Sequence, residues 1–384
     1  LKPRVSLVAC PDYDRNHIEA ALKRLLEPEG GMAAFVRPGQ KVLLKPNLLA
    51  ARKPEKAVTT HPELVRAVIR LVQQAGGVVT VGDSPGIGAP RTVARCSGIL
   101  QVVEETGADF APFEESVRVR LAGSAFHQLE IARDILDADL VINLPKLKTH
   151  QMMGLTCGVK NLFGAVIGLR KPRLHLQAGT DKKLFALMLL ELAEHIAPVL
   201  TIADAVTGME GNGPGGGDPV FIGALLASRS PLALDTVATA LVGLGESDVW
   251  TQRLAVATRR PGSRLEEIDL QGDALEDLIC RNFRPAKSTE VNFNLPPFLQ
   301  KPLRRSMSAL PVVKHKQCRL CGMCIGHCPP EAMRIEKGRL RIDYNRCIGC
   351  FCCQELCPEG ALLTRQGLLL RLSRFLRAPN PEKK

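Results

Sequence analysis

Nine of the chain's 13 cysteines fall between Cys318 and Cys357, and eight of them make two identical runs. Cys318-x2-Cys321-x2-Cys324-x3-Cys328-Pro329 is followed by Cys347-x2-Cys350-x2-Cys353-x3-Cys357-Pro358. Three thiolates at this spacing wrap a tight loop around three corners of an iron–sulfur cubane. The fourth, just before proline, points to the other cluster. The spacing therefore assigns Cys318, Cys321, Cys324 and Cys357 to one [4Fe–4S] cluster, and Cys347, Cys350, Cys353 and Cys328 to a second. Gly322 and Gly349 permit the bent backbone inside each loop. Zinc sites use two CxxC pairs or mixed Cys/His ligands at wider spacing, and a disulfide framework needs an oxidising compartment. Cys352 adjoins a ligand but is off register. Cys10, Cys96, Cys157 and Cys280 are isolated and read as small hydrophobes.

A second concentration of reactive side chains lies upstream. From Leu140 to Thr180 there is no Asp or Glu, yet Lys146, Lys148, His150, Lys160, Arg170, Lys171, Arg173 and His175 all fall there. Lys146, Lys148 and His150 directly follow Asp139 to Asn143, an apolar run that reads as a strand. Open α/β sheets bind ligands beyond that end of their strands. Cations without acids nearby in sequence, interleaved with Gly154, Gly158, Gly164 and Gly168, suit a pocket for phosphate or carboxylate. A solvated basic loop is the alternative. Two acids end other strands: Asp83, in Asp83-Ser84-Pro85-Gly86, and Asp204, after Leu200 to Ala203. Across the same cleft they would carry protons or hold a metal; turn formation is the other use for Asp83 and Ser84. The anion-binding candidates are thus Lys146, Lys148, His150, Lys160, Asp83 and Asp204. No catalytic residue is assigned. Gly211 to Gly216 matches GxGxxG, but Pro219 to Ala227 reads as a strand where a dinucleotide fingerprint must open a helix.

These sites need elements to position them. Val5 to Ala9, Lys41 to Lys45, Val78 to Val81, Asp139 to Asn143, Leu200 to Ala203 and Phe221 to Ala227 read as strands. His17 to Leu26, His61 to Gln74, Leu184 to His195 and Leu232 to Leu241 have helical spacing, with Thr60 as an N-cap candidate before Pro62. Strands and helices in alternation argue for parallel βαβ units. Met333 to Glu336 and Arg339 to Asp343, joined at Lys337-Gly338, read as a hairpin between the cysteine runs.

The chain's 384 residues suit two or three domains. At 45% apolar and 23% charged residues, disorder is excluded as the main architecture. The most apolar stretch, Leu184 to Ala203, contains Glu191, Glu194 and His195, so no membrane span is expected. No secretory signal is seen, and a cytoplasmic protein is expected. Residues 281–384 carry 20 Lys+Arg against 7 Asp+Glu, enough to account for the whole formal excess of +12. Cluster thiolates would offset only part of it. A docking face for an acidic redox partner is one use of that charge, and solubility the other. Nucleic acid is not expected, with one Trp, two Tyr and no recognition helix. The expected organisation is an α/β domain over 1–291 and a Pro-rich basic linker over 292–313. A small α+β dicluster domain follows over 314–365, then a basic amphipathic helix and tail over 366–384.

Lys45-Pro46-Asn47-Leu48, Thr60-His61-Pro62-Glu63-Leu64-Val65, Val81 to Gly86, Leu144 to His150, Val159 to Gly164 and Asp204 to Gly211 resemble, in order, segments of the DUF362 family. The resemblance spans about residues 5 to 290. It implies an α/β domain, fused in many members to a bacterial ferredoxin module, and an anaerobe-type redox context; it implies no particular reaction. His61 to Gln74 and the next strand are also similar to one βα unit of lactate racemase-type proteins.

Together these readings predict a mostly parallel α/β domain coupled to two [4Fe–4S] clusters. One function is a reductase, or its electron-input subunit, acting on an anionic substrate. The other is a non-enzymatic electron carrier or assembly factor whose α/β domain binds a partner.

Overall fold

A computed structural model describes residues 2–121, 126–168, 170–287, 306 and 308–368. Eight strands run edge to edge in the order Asp269–Gly272, Arg4–Ala9, Asp218–Ser228, Leu200–Glu210, Leu140–Leu144, Lys41–Pro46, Val78–Val81 and Asp109–Phe110. Pairing is mostly parallel, and Asp218–Ser228 is antiparallel to both its neighbours. Helices cover both faces, as the alternating sequence predicts. In Lys41–Pro46, Val42 and Leu44 enter one core and Leu43 the other, so the strand is apolar on both sides.

The helix Pro62–Gln74 shows the local logic. Leu64, Val65, Val68, Ile69 and Val72 are buried on one stripe. Each such side chain contributes about 1.5–3 kcal/mol. The cap is His61, whose Nδ1 accepts from the Glu63 N–H at 3.3 Å. Thr60, the expected cap, instead accepts from Asn47 N and donates to Leu144 O, which ties two strand ends together.

Two departures from the sequence reading matter for the site, and the glycine-rich loop is as that reading has it. Lys146–His150 is a strand rather than a loop; it pairs parallel with Leu200–Glu210 and antiparallel with Gly154–Thr156. All five of its residues are buried. The strand expected to end at Ala203 continues to Glu210, with a register shift between Ala205 and Thr207, so Asp204 sits within it and not at its end. Gly211 to Gly217 is the loop joining Leu200–Glu210 to Asp218–Ser228.

The C-terminal unit contains the short helices Met323–Gly326 and Cys352–Glu355 and the hairpin Met333–Glu336 with Arg339–Ile342. Lys337 and Gly338, at φ 49 and 70, turn it as expected. Ala309–Val313, expected to be linker, is a strand paired with Leu362–Gln366. Pro311 in its middle, after the prolines upstream, hid the strand. The rest of the expected linker up to residue 305, and the expected basic helix from 369 onward, lie outside the described residues.

The unit is packed against the α/β domain. Cys350, Phe351 and Cys352 share a core with Leu43, Phe163 and Phe185. Gln354 donates to Asn212 O at 3.3 Å, and Arg52 donates to Pro358 O. A Cβ on Gly215 would lie 2.8 Å from Glu355 O, so the glycine-rich loop is shaped to receive this unit. Among the described residues no helix is long and apolar enough to cross a membrane.

Candidate functional site

Each cysteine loop bends at two left-handed positions. In the first they are Leu320 and Gly322, at φ 54 and 77; in the second Gly349 and Phe351, at φ 69 and 60. The positions correspond, and glycine serves at only one of the two in each loop. A bulky residue held there costs about 1–3 kcal/mol and persists only where its surroundings fix it.

The thiols assemble in two sets. Burial first, and then the charges of Cys357, Cys321 and Cys318, push Cys324 up to about 11. Cys353 is raised by burial, then by Cys350, Cys347, Cys324 and Cys328. The first set lines a cavity together with Arg319, Leu320, Ile335 and Leu340. Two backbone N–H groups aim at sulfur at corresponding places, Ala332 at Cys328 Sγ and Ala361 at Cys357 Sγ, both at 3.2 Å. Among the described residues, no three His, Cys, Asp or Glu side chains converge to hold a single ion. Thiols spread around a cavity, with N–H groups to stabilise thiolate, fit a multi-iron cluster. Cys352 is buried beside Cys350. Of the isolated cysteines, Cys10 and Cys157 are buried, Cys280 half-buried and Cys96 exposed.

A cleft of ≈ 70 Å³ opens where the α/β domain meets the second loop. Strand ends supply Asn47, Leu49, Asp83 and Ser84; the acid-free stretch supplies Lys160, Phe163, Lys171 and His175; the helix Cys352–Glu355 and Leu356 close it. The crevice lies beyond the C-terminal strand ends, as expected for an open α/β sheet. Lys45 Nζ lies 2.7 Å from Asp83 Oδ1, and both are buried. A Cβ on Gly164 would run into both atoms, so only glycine lets this backbone cross the pair.

Of the six anion-binding candidates, Lys160 and Asp83 line this cleft. Lys146 and Asp204 do not line it; they form a buried ion pair at 2.8 Å, to which Tyr13 adds a hydroxyl. Lys148 donates to Asn47 Oδ1 and Val58 O, both at 2.7 Å, and burial followed by Lys160 and Lys146 lowers it to about 7. His150 Nδ1 accepts from Met152 N and Met153 N, which leaves its proton on Nε2, 2.6 Å from Glu355 Oε1. Burial and then Lys160 push His150 down to about 4, and it is neutral. Burial raises Glu355, but the neighbouring His150 ring N–H and the charge of Lys160 work against it and keep the carboxyl ionised. The cations that lack acids nearby in sequence thus mostly find partners across the fold. Lys160 makes no ion pair or hydrogen bond among the described residues, and rests over the Phe163 ring at 5.6 Å.

Lys171, His175, Asn47 and Glu355 belong to the cleft without having been among the candidates. Lys171 donates to the carbonyls of Ser84 and Pro85. Its place in the acid-free stretch was the available signal; for Glu355 there was none.

His175 stacks on Phe185, with centroids 4.2 Å apart. Burial pushes its pKa from 6.5 down to about 3. Below its ordinary pKa the unfolded chain holds a proton there that the folded chain lacks, so stability falls as pH falls from about 6.5 toward 3. His175→Phe is expected to flatten that slope by up to ~1.4 kcal/mol per pH unit. Urea midpoints followed by the emission of Trp250, the only tryptophan, measure it. An unchanged slope would mean the ring is protonated in the fold.

A family model described as "Domain of unknown function (DUF362)" matches residues 42–240, and one described as "4Fe-4S dicluster domain" matches 310–358. A thylakoid-associated protein of Synechocystis sp. is 40% identical over 299 residues, covering 77% of this chain and 92% of the relative. The pyruvate synthase subunit PorD of Methanocaldococcus jannaschii is 36% identical over 53 residues, 14% of this chain and 62% of the relative. An iron-sulfur protein of Rhodospirillum rubrum is 41% identical over 51 residues, 13% of this chain and 27% of the relative. Among solved structures, the lactate racemase apoprotein from Thermoanaerobacterium thermosaccharolyticum aligns with TM-score 0.41 at 12% identity, covering 64% of this chain and 58% of that one. The chain belongs to the DUF362 family and carries, after the family's α/β domain, a 4Fe–4S dicluster domain that gives it an electron-transfer role.

Proposed function

We propose that electrons pass between a redox partner and a small anion held in the cleft, so that the protein is a reductase or its electron-input subunit. The observation that carries this reading is shared architecture: the helix Cys352–Glu355 contains Cys353 and is also a wall of the cleft. Cys318, Cys321, Cys324 and Cys357 would hold one [4Fe–4S] cluster, and Cys347, Cys350, Cys353 and Cys328 the other. When bound, each supplies reversible one-electron transfer, at roughly −400 mV by analogy with low-potential ferredoxins. Lys160 is the uncommitted cation that would neutralise the ligand. Lys171 is fixed by carbonyls of the Ser84–Pro85 turn and shapes the opposite wall. Leu49, Phe163 and Leu356 keep water from part of the site. His150 Nε2–H holds Glu355 in place, and with it the wall that carries Cys353.

Phosphate or succinate is expected to raise the melting temperature of the wild type and to alter the electron paramagnetic resonance of one reduced cluster only. Lys160→Gln should lose both responses. Equal responses in the two proteins would place the anion elsewhere and favour a second reading, an electron carrier whose α/β domain binds a partner. The name of the Synechocystis relative, which is thylakoid-associated, supports that second reading.

A further inference from the structure

We propose that an acidic one-electron carrier protein docks where Leu320 and Ile335 reach the surface, and that electrons enter through the set Cys318, Cys321, Cys324 and Cys357. The inference rests on the reading that these cysteines hold a cluster. The two cysteine sets differ in access. Cys350, Phe351 and Cys353 are only 9%, 2% and 8% exposed, sealed in part by the α/β domain. In the first set Cys321 is exposed, and its neighbours Leu320 and Ile335 are 37% and 45% exposed. Leu320 and Ile335 also line the first cavity, so they are at once its wall and the outer surface. A partner resting on them stands one side chain from the redox centre.

The charge around this apolar tip says which partner fits. On the face of the hairpin turned away from Ile335 and Leu340, Arg334 stands directly opposite Arg341. Like charges in that position destabilise a strand pair, and an anionic surface would relieve them. Lys337 and Arg339 stand at the hairpin's turn end, and Lys314 and Lys316 lie just before Cys318. Among the described residues, Lys314, Lys316, Lys337, Arg339 and Arg341 are exposed and make no ion pair. Arg319 and Arg334 have only loose contacts, 3.5 Å to Glu359 and to Glu336. An apolar patch on a unit whose exposed charges are mostly cationic matches a carrier with an acidic surface around its own centre. In the step one electron leaves the partner's reduced centre and enters the cysteine-bound centre; no bond or proton moves with it.

The test is stopped-flow bleaching of the anaerobic full chain by a reduced acidic ferredoxin. Arg334→Glu with Arg341→Glu should slow reduction roughly tenfold or more at low salt, and the wild-type rate should fall as salt screens the approach. Lys337→Glu, at the turn and outside the strand pair, should slow it in the same direction. Arg118→Glu with Arg120→Glu, on the separate strand Ser116–Arg120, should leave the rate unchanged. Dithionite, which needs no docking face, should bleach all variants equally. Wild-type rates in both hairpin variants, or an equal loss in the Arg118/Arg120 variant, would overturn the docking face. A wild type that dithionite cannot bleach would instead overturn the cluster reading beneath it.

Discussion

Serine at both Cys328 and Cys353 is expected to leave about four iron per chain, whereas serine at Cys328 and Cys321 is expected to leave almost none. The contrast follows from which thiols face one another. Cys353 feels Cys350 and Cys347 most, then Cys324 of the other set and Cys328, and Cys328 feels Cys350. Cys324 feels Cys357, Cys321 and Cys318. Removing two ligands of one set therefore spares the other, while one ligand from each disables both. If each run held its own cluster, the two double variants would exchange outcomes.

The same experiment reads stability. A unit this small draws much of its folding free energy from its metal sites, and Leu320 and Phe351 hold left-handed conformations that need a fixed surrounding. The second loop also shares a core with the α/β domain. Loss of the buried set, through Cys353, should therefore lower the melting temperature of the whole chain. Loss of the exposed set, through Cys321, should loosen mainly the hairpin side. Cys352→Ala should keep the full iron content. A wild type with stoichiometric zinc and no acid-labile sulfide would end the cluster assignment.

The cysteine runs were legible because cluster ligation is written in local spacing. Their bends were half legible: Gly322 and Gly349 announce themselves, while Leu320 and Phe351 adopt the same geometry without a glycine signal. Parallel strands such as Lys41–Pro46 were legible from apolar runs. Lys146–His150 was not, because Lys-Leu-Lys-Thr-His has the composition of a surface loop. It becomes a buried strand only because Asp204, Asn47, Val58 and Glu355 satisfy its polar side chains. Those partners are distant in sequence, and no periodicity reports them. Absence of nearby acids along the chain therefore did not mean absence of acids in space. Lys160 alone of the candidate cations keeps the unpaired character that the sequence lent to all of them.

Lys146→Met is expected to destabilise the fold by about 3–5 kcal/mol, because it strands a buried carboxylate. Asp204 is fully buried, and among the described residues it accepts, besides Lys146, only from the Tyr13 hydroxyl and the His61 N–H. Those two donors hydrogen-bond the carboxylate without neutralising it. Adding Asp204→Leu to Lys146→Met should recover most of the loss, since paired apolar groups often replace a buried ion pair at little cost. Lys160→Met, which removes a half-buried cation that has no ion pair but rests over Phe163 and helps keep Glu355 ionised, should cost clearly less than Lys146→Met. Urea unfolding followed by Trp250 emission measures all three. The comparison also decides what the conspicuous lysines are for. If Lys146 were an anion ligand, its loss would erase the response to phosphate and leave the urea midpoint almost unmoved. A large fall in midpoint with the phosphate response intact would make Lys146 and Asp204 part of the scaffold, and leave Lys160 as the cation that meets the ligand.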